Sequence, residues 1–199
     1  MSTRVLLATR NEKKLVELRR ILVGSVDIEL VGLGDVPAYD EVPETGATFA
    51  ENAIIKAVEG ARHTGLLTVA DDSGLAVDAL NDMPGVLSAR WAGGHGDDAA
   101  NLRLVLEQVA DVPDARRGAS FHCAAVAVRP DGEQRLVAGV MRGRLVRQAR
   151  GSHGFGYDPA FVADGESRTN AELDAAEKDT ISHRGKAFRA LAVVLPDLL

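Results

Sequence analysis

Cysteine is almost missing from this chain: Cys123 is the only one in 199 residues. An intrachain disulfide is therefore excluded, and no set of Cys and His has the spacing of a zinc site. A reducing cytoplasm is the expected setting. Long apolar runs are missing too. Met1 to Thr9 offers only a strand-length run before the polar stretch Arg10 to Lys14, too little for a secretion signal, and no segment approaches bilayer-spanning length. No membrane association is expected. Positive charge is in deficit, with 23 Lys plus Arg against 29 Asp plus Glu and a net charge of −6. Such a surface repels polyphosphate backbones on average, so no nucleic acid polymer is expected as a partner, while a local cationic pocket for a small anion stays possible.

What is present is ordinary globular material: 46% hydrophobic and 26% charged residues. That length and balance point to one folded domain covering residues 1–199, with no repeat, linker or low-complexity tract. Arg4 to Thr9 reads as a buried strand, and the following segment as a helix with Leu15, Leu18 and Leu22 on one side, capped by Asn11. Ile28 to Leu33 reads as a second strand. Thr48-Phe49-Ala50-Glu51 has the form of a capping box, with Ala53, Ile54, Ala57, Val58 and Ala61 as the apolar face behind it and Gly65 as the stop. Leu66 to Ala70 reads as a strand that runs into an Asp71-Asp72-Ser73-Gly74 turn. Asp97 caps a helix carrying Leu102, Val105, Leu106 and Val109. Phe121 to Val128 and Gln134 to Val140 form a hairpin about Pro130-Asp131-Gly132. Ser182 opens a last helix, with Ala187, Phe188, Leu191, Ala192 and Leu195 inward, ended by Pro196. Alternating strands and helices predict an α/β fold.

Four segments could carry chemistry. Thr9-Arg10-Asn11-Glu12-Lys13-Lys14 sits at a strand-to-helix junction where N–H groups, a hydroxyl, an amide and two lysines can converge on a phosphate; a capped helix with a solvated basic turn also fits. Basic residues at a helix start oppose the macrodipole, and a bound anion would explain them. Asp71-Asp72 puts two repelling carboxylates side by side, which a divalent cation would relieve; oxygen ligands suit Mg²⁺. A turn in which Asp71 caps nearby N–H groups is the alternative. Glu44 lies on a loop that could bend over the same site, and Lys56 borders the apolar face of its helix, where its stem snorkels or its ammonium reaches a phosphate. Phe155, flanked by Gly154 and Gly156, exposes a ring face beside Tyr157 and Asp158, either a nucleobase platform or a tight turn with a packed aromatic. Lys178, His183 and Arg184 form a donor-rich wall.

The order and spacing of these pieces closely resemble the inosine triphosphate pyrophosphatase family, also called dITP/XTP pyrophosphatases. Thr9-x-Asn11-x-x-Lys14, Glu44-Thr45-Gly46-x-Thr48-Phe49-x-Glu51-Asn52-Ala53-x-x-Lys56-Ala57, Ala70-Asp71-Asp72-Ser73-Gly74-Leu75, Phe155-Gly156-Tyr157-Asp158-Pro159 and Ser182-His183-Arg184-Gly185 carry the likeness, which covers nearly the whole chain. Met141-Arg142-Gly143 and His153-Gly154 stand where the family has Trp-Pro-Gly and a glycine pair. The resemblance implies an elongated mixed sheet flanked by helices, two lobes around a central substrate cleft, a homodimer, and Mg²⁺-dependent hydrolysis of deaminated purine triphosphates to monophosphate and pyrophosphate. It further implies that Thr9 to Lys14 and Lys56 hold the triphosphate, that Asp72 is catalytic and binds metal with Glu44, and that Ser73 touches substrate. Phe155, Gly156, Tyr157 and Asp158 would hold the base and sugar, with Lys178, His183 and Arg184 completing base recognition. A Maf-like nucleotide pyrophosphatase is an alternative that the Phe155 and Ser182 motifs disfavour. A non-catalytic nucleotide sensor is another, disfavoured by the intact acidic and lysine positions.

Overall fold

A computed structural model describes residues 3–22, 28–40 and 42–199. Six strands form one mixed sheet in the order β2-β1-β3-β4-β5-β6. They are β1 (Thr3–Leu7), β2 (Ile28–Gly32), β3 (Leu67–Val77), β4 (Gly118–Val128), β5 (Gln134–Leu145) and β6 (Phe161–Ala163). β1 runs parallel to both β2 and β3, and β6 runs antiparallel to β5. The helices are α1 (Glu12–Leu22), α2 (Phe49–Thr64), α3 (Asp98–Gln108), α4 (Ala175–Ile181) and α5 (His183–Val194). The α/β expectation is met.

The chain divides into two compact units. The first comprises Met1–Asp72, Cys123–Gly139 and Arg184–Leu199; the second comprises Ser73–His122 and Val140–His183. In the first unit, β1 shows how a parallel sheet buries both faces. Side chains alternate across a strand, so Val5 and Leu7 join Leu18, Leu22, Phe188 and Leu191 in one core cluster, whereas Leu6 and Ala8 join Ala53, Ala57 and Ala61 of α2 in another. Helices α1 and α5 cover one face and α2 the other. The second unit has its own core, in which Leu75, Val77, Val105, Tyr157 and Phe161 are buried together.

Local signals explain most boundaries. Thr48 Oγ1 accepts from Glu51 N at 3.2 Å, and Gly65 ends α2 with φ +69°. Val58, expected on the inner face, is 41% exposed instead. Asn11 caps α1, its Oδ1 accepting from Lys14 N. One boundary differs in a way that matters for the site: β3 does not stop at Ala70 but continues through Asp71-Asp72-Ser73-Gly74 to Val77. There is no turn at the acidic pair. A strand persists through two carboxylates because both are matched by partners from elsewhere in the chain.

Phe188 is fully buried in the first core. Phe188→Ala should lower stability by about 3–5 kcal/mol, read as a reduced midpoint in urea unfolding.

Candidate active site

Because β3 is continuous, Asp71 and Asp72 project to opposite faces of the sheet and meet different company. Asp71 is 2% exposed. Its Oδ2 accepts from Lys14 Nζ at 2.9 Å, and Arg184 Nε lies 3.8 Å away. Burial alone would raise the Asp71 pKa, but the charges of Lys14, Arg184 and Lys56 outweigh it and hold the group down at about 2. Arg184 also donates to Glu17 Oε2 at 3.0 Å, and both side chains are 7% exposed. Lys14, Asp71, Arg184 and Glu17 thus form a buried chain of alternating charge. Cys123 lies against it, 4.0 Å from Asp71 Oδ2, and burial pushes its thiol pKa well up, which removes it as a nucleophile.

Asp72 faces the second set. Its Oδ2 accepts from Asn52 Nδ2 at 3.1 Å, and Lys56 Nζ stands 3.6 Å from its Oδ1. The same ammonium donates to Glu44 Oε1 at 2.7 Å. Two carboxylates therefore converge on one positive centre. Burial raises the Asp72 pKa above the ordinary aspartate value, with Lys56, Lys14 and the Asn52 hydrogen bond opposing and Glu44 adding to the rise. For Lys56, burial pulls the pKa down, but Asp72, Asp71 and Glu44 together leave it raised. Neighbours in sequence are thus driven apart in acidity, a pattern that separates an inert carboxylate from a proton acceptor.

Asn52 ties the loop to the strand. Its Oδ1 accepts from Gly46 N at 2.8 Å while its Nδ2 reaches Asp72. A Cβ on Gly46 would fall 2.6 Å from Glu51 Cβ and 2.7 Å from Asn52 Oδ1, so only glycine lets the Glu44 loop approach this closely. Before it, Thr9 Oγ1 accepts from Asn11 N, Arg10 reaches the carbonyl of Tyr39, and Glu12 and Lys13 are exposed. Ser73 follows Asp72 on β3 and is half-buried.

Residues fit Mg²⁺ on this geometry. Among the described residues no group of three or more His, Cys, Asp or Glu side chains is placed to hold a metal. The protein offers Glu44 and Asp72, two hard oxygen donors around a shared cation position, and Mg²⁺ is commonly held by one or two carboxylates with water and phosphate oxygens filling the rest.

The second unit carries the aromatic segment. Phe155 is half-buried, with Lys178 Nζ 5.3 Å from its ring centroid. Asp158 is 3% exposed and accepts at Oδ2 from Phe155 N at 2.9 Å and from Lys178 Nζ at 2.7 Å. Gly154 takes φ +72°, and a Cβ there would sit 2.3 Å from Asp158 Oδ2, so both conformation and space require glycine. Gly156 is also left-handed, at φ +61°. Tyr157 is a core residue whose hydroxyl donates to the Ser88 carbonyl at 2.8 Å. His183 is buried and stacks on Phe121, centroids 4.8 Å apart and planes within 11°. Lys178 and His183 thus lie in the second unit and Arg184 in the first.

Sequence reasoning assigned no role to Glu17, Asn52 or Asn170, and it left Asp71 as the companion of Asp72. Asn52 stands inside a quoted motif and could have been suspected. Glu17 reads as an ordinary helix carboxylate.

The α/β fold thus carries an acidic strand segment matched by lysines in its first unit and an aromatic and ammonium cluster in its second. The chain belongs to the Ham1 family, whose model matches residues 5–194. It is 59% identical over 198 residues to the dITP/XTP pyrophosphatase of Mycobacteroides abscessus, covering 98% of this chain and 96% of that one, and 60% identical over 197 residues to the dITP/XTP pyrophosphatase of Nocardia farcinica, with the same coverage. Its fold is similar to the crystal structure of a nucleoside-triphosphatase / dITP/XTP pyrophosphatase from Mycobacterium abscessus, at TM-score 0.79, 60% identity and coverage of 98% and 100%. It also resembles a HAM1 protein from Coxiella burnetii, at TM-score 0.87, 42% identity and coverage of 98% and 99%.

Removing the Asp71 charge takes the carboxylate from Lys14 and leaves Arg184 with Glu17 as its anion. Asp71→Asn should cost about 3 kcal/mol at pH 7. Because the folded pKa lies near 2, below the ordinary 3.8, the stabilisation is complete above pH ~4 and drains as pH falls toward 2, on the order of 2 kcal/mol in all. Unfolding midpoints between pH 6 and 2.5 should therefore decline less in Asp71→Asn than in the parent.

Proposed function

We propose that this protein hydrolyses deaminated purine nucleoside triphosphates, ITP, dITP and XTP, to the monophosphate and pyrophosphate, clearing them from the nucleotide pool. The relatives named above are dITP/XTP pyrophosphatases, and the observation that carries the chemistry is the convergence of Asp72 and Glu44 on the Lys56 ammonium, which brings two carboxylates to one place. Glu44 and Asp72 would hold Mg²⁺, which supplies charge neutralisation at the phosphate oxygens when bound. Asp72, with its raised pKa, orients the attacking water and takes its proton as the water oxygen approaches the α-phosphorus. Lys14 and Lys56 offset the charge that builds on the departing pyrophosphate. Lys14 spends one N–H on Asp71, and an ammonium has three donors, so it can hold Asp71 and a phosphate oxygen together.

The base belongs to the Phe155, Lys178 and His183 group. Phe155 provides a ring face, and the Lys178 ammonium donates to a 6-oxo group where adenine would present an amino donor. Arg184 is held between Glu17 and Asp71, so in this reading it contributes by fixing the polar wall that it shares with the phosphate-binding lysine. Mg²⁺ dependence, a homodimer and a cytoplasmic setting complete the proposal. No described helix is long and apolar enough to cross a membrane.

A panel of nucleoside triphosphates with Mg²⁺ tests the reaction: ITP, dITP and XTP should release pyrophosphate, with ATP at least tenfold poorer in kcat/KM. Release of single phosphate, or comparable constants for ATP and ITP, would contradict it. Asp72→Asn should lower kcat about 10²–10⁴-fold with a smaller change in KM, measured by pyrophosphate release. Sedimentation velocity should give twice the 21.1-kDa chain mass.

A further inference from the structure

The base-side cluster has a buried member that the reaction scheme does not use. Asn170 is fully buried at the start of a short turn spanning Asn170–Glu172. The turn is anchored: Thr169 Oγ1 donates to the Arg150 carbonyl at 2.8 Å, and Glu172 Oε2 accepts from Thr169 N at 2.7 Å. From it, Asn170 Nδ2 donates to Asp158 Oδ1 at 3.1 Å. Asp158 uses its other oxygen for Phe155 N and Lys178 Nζ. This carboxylate thus accepts from the Phe155 backbone, from the Lys178 ammonium and from Asn170.

A carboxylate rotates about its last side-chain bond, and that rotation is broad and soft unless both oxygens are held. Here one oxygen must stay in line with two donors on separate segments, the Phe155 backbone and the α4 lysine. Among the described residues, the Asn170 bond is what constrains the other oxygen. Asn170 also carries a cost that packing alone would not select: its Oδ1 is buried with no hydrogen-bond partner, and an unmatched buried acceptor is unfavourable. An apolar residue would fill the space without that penalty. What the amide supplies and an apolar side chain cannot is the donor to Asp158.

We propose that Asn170 is a positioning residue for base recognition: by holding Oδ1 of Asp158, it fixes the carboxylate that sets the Phe155 ring and the Lys178 ammonium relative to each other. This rests on the assignment of Phe155 and Lys178 to the base. Asn170 touches no reacting atom in this scheme, so its loss weakens ground-state capture and selectivity rather than the chemical step.

Two variants separate this from a purely structural role. Asn170→Leu removes the donor at similar volume. Asn170→Asp keeps the shape and replaces the donor with a carboxylate that repels Asp158. With pyrophosphate release as the assay, both should raise KM for ITP about tenfold with kcat within threefold of the parent, and both should lower the ITP-over-ATP ratio of kcat/KM by a similar factor. KM and that ratio within twofold of the parent in the folded variants would overturn the proposal, as would a fall in kcat at unchanged KM. Failure of both variants to fold would assign Asn170 to the scaffold and overturn it as well. The underlying base assignment has its own control: Lys178→Met should abolish the ITP-over-ATP preference. If it does not, the base reading fails, and the role of Asn170 falls with it; if it does while the Asn170 variants match the parent, only the present proposal fails.

Discussion

A buried carboxylate that must stay ionised is the constraint on which the first unit depends. Asp71 lies in the middle of a strand at a place where an isolated charge would be prohibitively desolvated. It is tolerable only because Lys14, from the start of α1, and Arg184, from the start of α5, both come to it. Each cation would otherwise oppose the dipole of the helix it opens. One buried anion therefore offsets two awkward cations, and in doing so pins two helix starts to the central strand. Glu17 also pairs with Arg184, so the network is two anions against two cations. Such a network adds little net stability over a hydrophobic equivalent, yet it is costly to break at any one member. Its value lies in fixing Lys14 at a defined place beside the acidic strand.

Opposite direction along that strand gives Asp72 a different fate. The pleat alone sends consecutive side chains to opposite faces, so no special loop is needed to separate an inert acid from a reactive one. Asp71 is surrounded by positive charge and held ionised; Asp72 is desolvated, faces Glu44 as well as Lys56, and is pushed toward accepting a proton. A turn at this point would have left both groups solvated and alike. The continuity of β3 thus sets the different electrostatics of the two acids.

The elements that were legible in the amino-acid order are those governed by neighbours within one or two turns. The Thr48 to Glu51 capping box, the Gly65 stop and the Asn11 cap are all local, and all are found in place. Asp174 and Glu177 form another capping box that opens α4, but the helix behind it is 7 residues long, too short for an apolar periodicity to mark it. The Asp71-Asp72-Ser73-Gly74 run looked like a turn because each residue favours one, and what overrides that preference is a lysine 57 positions away in the chain. Tyr157, which the resemblance places in the base-holding segment, spends its hydroxyl on the Ser88 carbonyl, 69 residues distant, a partner that no local pattern signals. Asn170 gave no signal at all, since an asparagine beside a threonine before a short turn is ordinary loop chemistry.

The two clusters solve different physical problems, which explains their different construction. Polyphosphate carries diffuse, mobile charge, and on the proposed assignment the first unit would meet it with lysines already neutralised by carboxylates, so that neither ammonium is left buried without a counter-charge before an anion arrives. A flat base carries little charge, and its recognition rests on the direction of a few donors. The second unit accordingly spends the buried carboxylate of Asp158 on geometry. Asp158 binds the Phe155 backbone, Lys178 and Asn170, and a Cβ at Gly154 would intrude on the same oxygen that takes two of those bonds. Charge compensation tolerates some displacement, because Coulomb energy falls slowly with distance. Hydrogen-bond direction does not, since the interaction weakens steeply once the angle closes. On the proposed assignment the base side would therefore need more buried polar fixing than the phosphate side, and selectivity would be the property most exposed to change at residues that never touch the ligand.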